Sequence, residues 1–174
     1  MTSADGPDGA VETAHTAHLA LLGRGQTVGC AESLTGGELA AVLSRTPGAS
    51  ATFRGGVVTY ATELKRSLLG VTAERVVSAE CAAQMAAGAR DLLGVDWALA
   101  TTGVAGPDEQ EGQPVGTVHV ALAGPGATRS LRLELELELE LGLELGLGGQ
   151  RAAIRSATVE AAVRMLLEGV AADA

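Results

Sequence analysis

The sequence predicts an α/β protein, a three-layer α/β/α sandwich with a mostly parallel mixed sheet. Three observations lead to this fold class. Short apolar runs that suit buried strands alternate with segments whose apolar residues recur at helical spacing. Several strands end in loops rich in glycine and other small residues, as in open α/β sheets. The 174 residues have the length of one domain and enough chain to bury a core.

The N-terminal elements begin after a polar stretch. Residues 1–10 are rich in Gly, Asp and Pro, and we expect a disordered leader there, before a single domain over residues 11–170. Helical spacing predicts a first helix at 11–22, which a pair of glycines ends. An apolar run at 27–31 predicts a buried strand, and a helix should follow at 38–44 after a Gly-Gly turn.

The later elements are recognised by their borders. Glycines at 70 and 94 are expected to end helices, and Ser78 is a strong N-cap for the Ala-rich helix that follows it. The predicted elements, in order, are a strand at 55–60, helices at 62–69 and 79–93, strands at 97–102 and 116–123, and a last helix at about 151–167. Because strands and helices alternate, we expect a largely parallel sheet with one antiparallel edge or hairpin pair.

Residues 131–147 form an almost pure alternation of Leu with Glu or Gly. Both Leu and Glu favour helices, but period two places every leucine on one face of a strand and scatters the leucines around a helix. We therefore predict a long amphipathic strand whose glutamates face solvent. Paired catalytic carboxylates or a cation site are the alternative, but no other candidate residue accompanies these glutamates, which are Glu134, Glu136, Glu138, Glu140 and Glu144.

Composition excludes several functions. The net charge of −9 argues against binding nucleic acid through a basic face. No apolar run approaches the roughly 20 residues that span a bilayer, and the N-terminus lacks the pattern of a signal peptide. The two cysteines, Cys30 and Cys81, have no disulfide or metal-ligand spacing. We expect a soluble cytoplasmic protein with no metal, no cofactor, no membrane contact and no nucleic-acid partner.

Lys65 is the only lysine in the chain, and it follows the only tyrosine, Tyr60, by five residues. The other eleven basic residues are arginines. Arg stays protonated at any working pH, whereas Lys can lose its proton when its site lowers the pKa. The pair is therefore a candidate for proton transfer, and chance in an Arg-biased composition is the alternative.

Ser33 lies where a buried strand passes into a helix through Thr35, Gly36 and Gly37. Such a turn leaves backbone N–H groups free at the helix N-terminus, where they bind anions or a developing oxyanion. The alternative is that Ser33 or Thr35 is only an N-cap.

A second loop, 102–107, has the same character, with a strand end followed by small residues. Loops at the carboxyl ends of strands line the ligand crevice of open α/β sheets. Two such loops, with Tyr60 ending a third strand, predict one binding crevice.

Five ordered motifs resemble the CinA C-terminal domain family, the bacterial nicotinamide-nucleotide amidases. They are GCAESLTGG at 29–37, GGVVTY at 55–60, KRSLLGV at 65–71, TGVAGP at 102–107 and PVGTV at 114–118. The resemblance implies a three-layer α/β/α domain that hydrolyses the carboxamide of nicotinamide mononucleotide to nicotinate mononucleotide and ammonia. Larger relatives carry an additional N-terminal domain, so the chain resembles the stand-alone form, and the family implies a homodimer.

The resemblance also assigns roles by position. Ser33 would be the nucleophile, with Lys65 and Tyr60 activating it and moving protons. The substrate-binding residues that it implies are Thr35, Gly36, Gly37, Thr102, Gly103, Ala105, Gly106 and Arg151. Arg151 resembles the arginine of a Gly-Asp-Arg motif, although this chain has Gln150 in place of the acid.

The residues fit amide hydrolysis apart from the resemblance. An amide carbon needs a nucleophile, a base, an acid for the departing ammonia and donors for the oxyanion. His15, His18 and His119 lie within a helix or a strand, where none suits a Ser-His-Asp triad, so a Ser–Lys arrangement remains.

Two other functions compete with amide hydrolysis. One is a catalytically silent nucleotide-binding or regulatory module with the same fold. The other is an assembly protein built on the Leu/Glu strand.

Overall fold

The computed structural model describes residues 7–134 and 147–173. Five strands and five α-helices make up this part of the chain, with one short 3-10 turn. The elements are α1 (Pro7–Arg24), β1 (Val28–Glu32), α2 (Glu38–Ser44), the 3-10 turn (Ala49–Ala51), β2 (Phe53–Val58), α3 (Thr62–Leu69), α4 (Ala79–Leu93), β3 (Trp97–Gly103), β4 (Thr117–Ala123), β5 (Thr128–Glu134) and α5 (Leu147–Ala172).

The five strands form one mixed sheet in the order β2-β1-β3-β4-β5. β1 pairs in parallel with both β2 and β3, so the carboxyl ends of these three strands meet at one edge of the sheet. β4 runs antiparallel to β3 and to β5. Four strands therefore point the same way, and the reversed strand lies inside the sheet, where it makes two antiparallel pairs instead of the single pair expected.

Helices cover both faces of the sheet, which confirms the predicted three-layer α/β class. One core packs α1, α2 and α5 against one face, with Leu39, Val120 and Leu166 among its buried residues. The other core packs α4 against the opposite face through alanines and Met85. Most core side chains are small and aliphatic, which explains how a chain with one Trp, one Tyr and one Phe still buries a continuous interior.

The position of α3 depends on a close approach to α4. A Cβ atom added at Gly88 in α4 would lie 2.1 Å from the carbonyl oxygen of Leu69, the last residue of α3. Only glycine allows this contact without displacing backbone. The approach also fixes the position of Lys65, which lies on α3.

Most predicted elements are confirmed within two residues, and α2, α3 and α4 have the predicted bounds. Ser78 caps α4 as expected, since its side chain accepts a hydrogen bond from the N–H of Cys81 at 3.0 Å. The first helix begins at Pro7, and Ala10 is already buried, so residues 7–10 are not part of a disordered leader. Residues 1–6 lie outside the described residues.

Among the described residues, only the beginning of the Leu/Glu segment at 131–147 forms a strand. β5 ends at Glu134, and Leu131 and Leu133 lie opposite Val120 and Val118, on the face of the first core. Leu147 was predicted to end this strand, but it begins α5. The rest of the predicted strand lies outside the described residues, as do the side chains of its five glutamates.

No helix within residues 7–134 and 147–173 is long and apolar enough to cross a membrane.

Candidate active site

A cavity of about 600 Å³, which includes the solvent at its mouth, opens at the carboxyl edge of the three parallel strands. Three strand ends supply its walls, because β1 and β2 lead into Ser33 and Tyr60, and Thr102 is the second-last residue of β3. The expected residues that line the cavity are Ser33, Tyr60, Lys65, Thr102, Gly103, Ala105, Gly106 and Arg151. The structure thus brings together eight of the eleven residues that the sequence singled out.

Lys65 is buried, with only 2% of its surface exposed, although it reaches the cavity wall. Its Nζ donates hydrogen bonds to the backbone oxygens of Thr59 at 2.8 Å and of Tyr60 at 3.2 Å. Burial lowers the pKa of Lys65 below its usual value, and nearby acidic groups oppose this shift. When the Lys65 amine is neutral, its two N–H groups can donate to these two oxygens, and its nitrogen lone pair can accept a proton from a third group.

Ser33 sits on a tight turn directly after β1. Its N–H donates to the oxygen of Thr101 at 3.0 Å, and its own carbonyl accepts from the N–H of Gly36 at 3.1 Å. These two bonds fix the backbone on both sides of the hydroxyl. Leu34, the next residue, also lines the cavity, and its N–H has no acceptor among the residues that the structure describes.

The expected free amides at the start of α2 are already occupied, so that prediction is wrong. The carboxylate of Glu32 is fully buried and accepts from the N–H groups of Gly37, Leu39 and Ala40 at 3.0, 3.0 and 2.9 Å. A carboxylate at a helix N-terminus is favoured by the helix dipole and by the unpaired amides. The protein therefore supplies its own anion where a ligand was expected.

Thr35, Gly36 and Gly37 do not line the cavity. The Thr35 hydroxyl shares a 2.7 Å hydrogen bond with the Thr101 hydroxyl. Gly36 and Gly37 have φ values of 57° and 105°, a backbone conformation that glycine adopts readily. These three residues shape the turn that carries Ser33.

Tyr60 and Arg151 meet at the mouth of the cavity. Arg151 comes from α5, and its guanidinium donates to the Tyr60 hydroxyl at 2.7 Å and to the Gly106 carbonyl at 2.5 Å. The Tyr60 side chain is 56% exposed, and its hydroxyl can still donate its own proton. Arg has five N–H donors, so Arg151 keeps donors for a ligand.

Thr102 and the loop after it form the inner wall. The Thr102 hydroxyl donates to the carbonyl of Val76 at 2.6 Å, so it holds the 76–77 segment against the cavity. The Val104 N–H donates to Thr117 at 2.9 Å, which ties the loop to the start of β4. This wall is therefore rigid backbone with small side chains.

Residues 11–170 match the family model of the CinA C-terminal domain. The chain belongs to this family. It is 49% identical over 160 residues to a CinA-like protein of Frankia casuarinae, and the aligned region covers 86% of this chain and 34% of that relative. It is 43% identical over 152 residues to a putative competence-damage inducible protein of Desulforamulus reducens, over 83% of this chain and 34% of that protein.

Solved structures of the CinA superfamily have the same fold. A crystal structure from Klebsiella pneumoniae has a TM-score of 0.79 at 33% identity and covers 93% of this chain and 98% of that chain. One from Enterobacter cloacae has a TM-score of 0.82 at 26% identity, over 92% of each chain. The chain spans about a third of the length of the curated relatives it matches.

The cavity of this CinA domain has further lining residues that the sequence analysis did not single out one by one. Leu34 lies inside the first motif and Val104 inside the predicted loop 102–107, but nothing in the sequence distinguished the valines of the loop before α4. The additional lining residues are Leu34, Thr62, Val76, Val77, Val104, Asp108 and Gln110. Glu32 was also missed, although it lies inside the first motif beside Ser33, where an acid before a helix start was a usable signal.

The histidines do not line the cavity. Nδ1 of His18 shares a 2.7 Å hydrogen bond with the Thr52 hydroxyl. His119 lies on β4, and burial lowers its pKa, with the nearby charge of Arg132 adding to the effect. Among the described residues, no three His, Cys, Asp or Glu side chains are grouped so that they could hold a metal ion.

Proposed function

We propose that this chain hydrolyses the carboxamide of nicotinamide mononucleotide to nicotinate mononucleotide and ammonia, with Ser33 as nucleophile and Lys65 as general base. The observation that carries the proposal is that Ser33, on a fixed turn, and Lys65, a buried lysine of lowered pKa, line the same cavity. Burial favours the neutral amine, which is the form that accepts a proton.

Each step can be assigned to a group in the cavity. The Ser33 oxygen attacks the carboxamide carbon while its proton passes to Nζ of Lys65. The N–H of Leu34 donates to the oxyanion of the tetrahedral intermediate. The carbon–nitrogen bond then breaks, and the departing nitrogen takes the proton that Lys65 received, so it leaves as ammonia and Lys65 is neutral again. Water, deprotonated by Lys65, attacks the resulting ester, and the Ser33 oxygen takes the proton back from Lys65 as nicotinate mononucleotide is released.

Tyr60 and Arg151 act at the mouth in this proposal. The Tyr60 hydroxyl accepts its hydrogen bond from Arg151 and can donate a hydrogen bond of its own to the departing nitrogen or to the substrate. The guanidinium of Arg151 binds the phosphate through its remaining donors, as guanidinium groups commonly do. The Gly103–Gly106 backbone packs against the ring and ribose.

Ammonia release from nicotinamide mononucleotide, nicotinamide riboside and nicotinamide tests the proposal. We expect the wild type to release ammonia from the mononucleotide and Ser33→Ala to release none. Ser67→Ala is the matched control, since Ser67 is exposed on α3 and does not line the cavity. A wild type that binds the mononucleotide without releasing ammonia would be the silent nucleotide-binding module instead.

We also propose, from the family resemblance, that the chain acts as a cytoplasmic homodimer in the recycling of pyridine nucleotides. Sedimentation of the purified protein tests the assembly: a dimer at micromolar concentration is expected, and a monomer would contradict the proposal.

A further inference from the structure

We propose that the side chain of Asp108 recognises the positive charge of the substrate's ring, so that the cavity prefers carboxamides on an N-substituted pyridinium to neutral carboxamides of the same shape. This inference rests on the proposed function and narrows its substrate class. It concerns a residue that lies outside the Ser–Lys chemistry.

Asp108 is the only carboxylate among the described residues that line the cavity. Its side chain is exposed, and it forms no hydrogen bond or ion pair with any residue that the structure describes. The other acidic groups near the site are engaged. Glu32 is held by three amides behind the Ser33 turn, and Glu111 accepts hydrogen bonds from the N–H groups of Val76 and Val77 at 3.2 and 3.0 Å.

The loop that carries Asp108 is fixed on both sides of this residue. Before it, the carbonyl of Gly106 accepts from Arg151. After it, Gln110 and Gln113 exchange two backbone hydrogen bonds, and Glu111 anchors the loop to the 76–77 segment. The free carboxylate is thus presented to the cavity from a backbone held in place, which reduces the conformational entropy lost when a cation binds.

The fixed charges of the cavity match those of a nucleotide with a cationic ring. Arg151 supplies a positive charge for the phosphate, and Asp108 supplies a negative charge within the same cavity. Asp108 would only repel a substrate that carries negative charge alone. A pyridinium mononucleotide carries a cation and an anion on one molecule, so both charges of the cavity find a partner.

Two ribosides of equal shape test the inference. Nicotinamide riboside has a cationic ring, and benzamide riboside replaces the ring nitrogen with carbon and is neutral. Their inhibition constants are measured against ammonia release from nicotinamide mononucleotide, in the wild type, in Asp108→Asn and in Glu109→Gln. Glu109 is an exposed neighbour that does not line the cavity, so this control removes the same charge one residue away.

The wild type should bind the cationic riboside more tightly than the neutral one. In Asp108→Asn we expect this preference to fall by about two- to fivefold, the size expected for one exposed ion pair, and in Glu109→Gln it should not change. An equal preference in wild type and Asp108→Asn, with ammonia still released, would overturn the inference and leave the proposed function in place. A wild type that releases no ammonia would overturn both.

Discussion

The carboxylate of Glu32 accepts a hydrogen bond from the N–H of Gly37 at 3.0 Å, across the turn that carries Ser33. The same carboxylate accepts from the amides of Leu39 and Ala40, and the N–H of Glu38 donates to the Thr35 carbonyl at 3.1 Å, so these amides at the start of α2 are all engaged. A phosphate cannot use these donors. In the proposed function, the phosphate of the substrate is therefore assigned to Arg151, which lines the cavity.

Glu32→Gln should destabilise the fold. Three backbone N–H groups now donate to the two carboxylate oxygens of Glu32. A glutamine has only one acceptor oxygen, and its NH2 group would face at least one of these N–H donors. We expect the free energy of unfolding to fall by about 2–4 kcal/mol in chemical denaturation. Glu38→Gln is the control, since its half-exposed ion pair with Arg155 should be worth less than about 1 kcal/mol. Equal losses in both variants would contradict this role for Glu32.

Tyr60 and Arg151 should act as a coupled pair. Tyr60→Phe removes the hydroxyl that Arg151 holds, and we expect kcat to fall by about tenfold or more. Arg151→Ala should raise KM for the mononucleotide. The double variant should lose less activity than the product of the single losses, because both single changes break the same hydrogen bond.

A strictly multiplicative loss would show that the Tyr60–Arg151 contact has no role in turnover. Arg164→Ala serves as the control on the same helix, since Arg164 is exposed and pairs only with Glu160 among the described residues. Its kinetic constants should equal those of the wild type.

The proposed mechanism requires activity to increase with pH. Lys65 acts as a base only when neutral, and burial lowers its pKa below the usual 10.5. Below the pKa of Lys65 most of the amine is protonated, so kcat/KM should rise about tenfold per pH unit as the pH approaches this pKa. Above the pKa the neutral form dominates, and kcat/KM should level off. A profile that is flat, or that declines with rising pH from about pH 6, would contradict a lysine base.

The fold was predictable because its signals are local. Periodicity and border residues gave the bounds of α2, α3 and α4, and the glycines at 70 and 94 are the C-caps of α3 and α4. The place of β4 between β3 and β5 was not predictable, because the pairing order of strands depends on packing across the sheet. The start of α5 at Leu147 was missed for another reason: the alternation of Leu with Glu or Gly extends to that residue.

The cavity residues were predictable where a residue type was unusual or followed a strand end, as for Lys65, Ser33 and Thr102. The amides at Gly36 and Gly37 were misread because a Gly-rich turn alone does not reveal what already binds it. The acceptor is the Glu32 carboxylate, which lies across the turn from the N–H of Gly37, five residues later in the chain. Val76 and Val77 could not be found, since only the folded chain brings them to the cavity.

Ammonia release from nicotinamide mononucleotide by Lys65→Arg tests the central claim most directly. Arg keeps a positive charge and hydrogen-bond donors but cannot accept the Ser33 proton at working pH, so activity should fall by about a thousandfold. Thermal unfolding verifies that the variant is folded, and Arg66→Lys, a change at the exposed neighbour, should leave activity unchanged. A folded Lys65→Arg enzyme with activity within about tenfold of the wild type would contradict the Ser33–Lys65 mechanism.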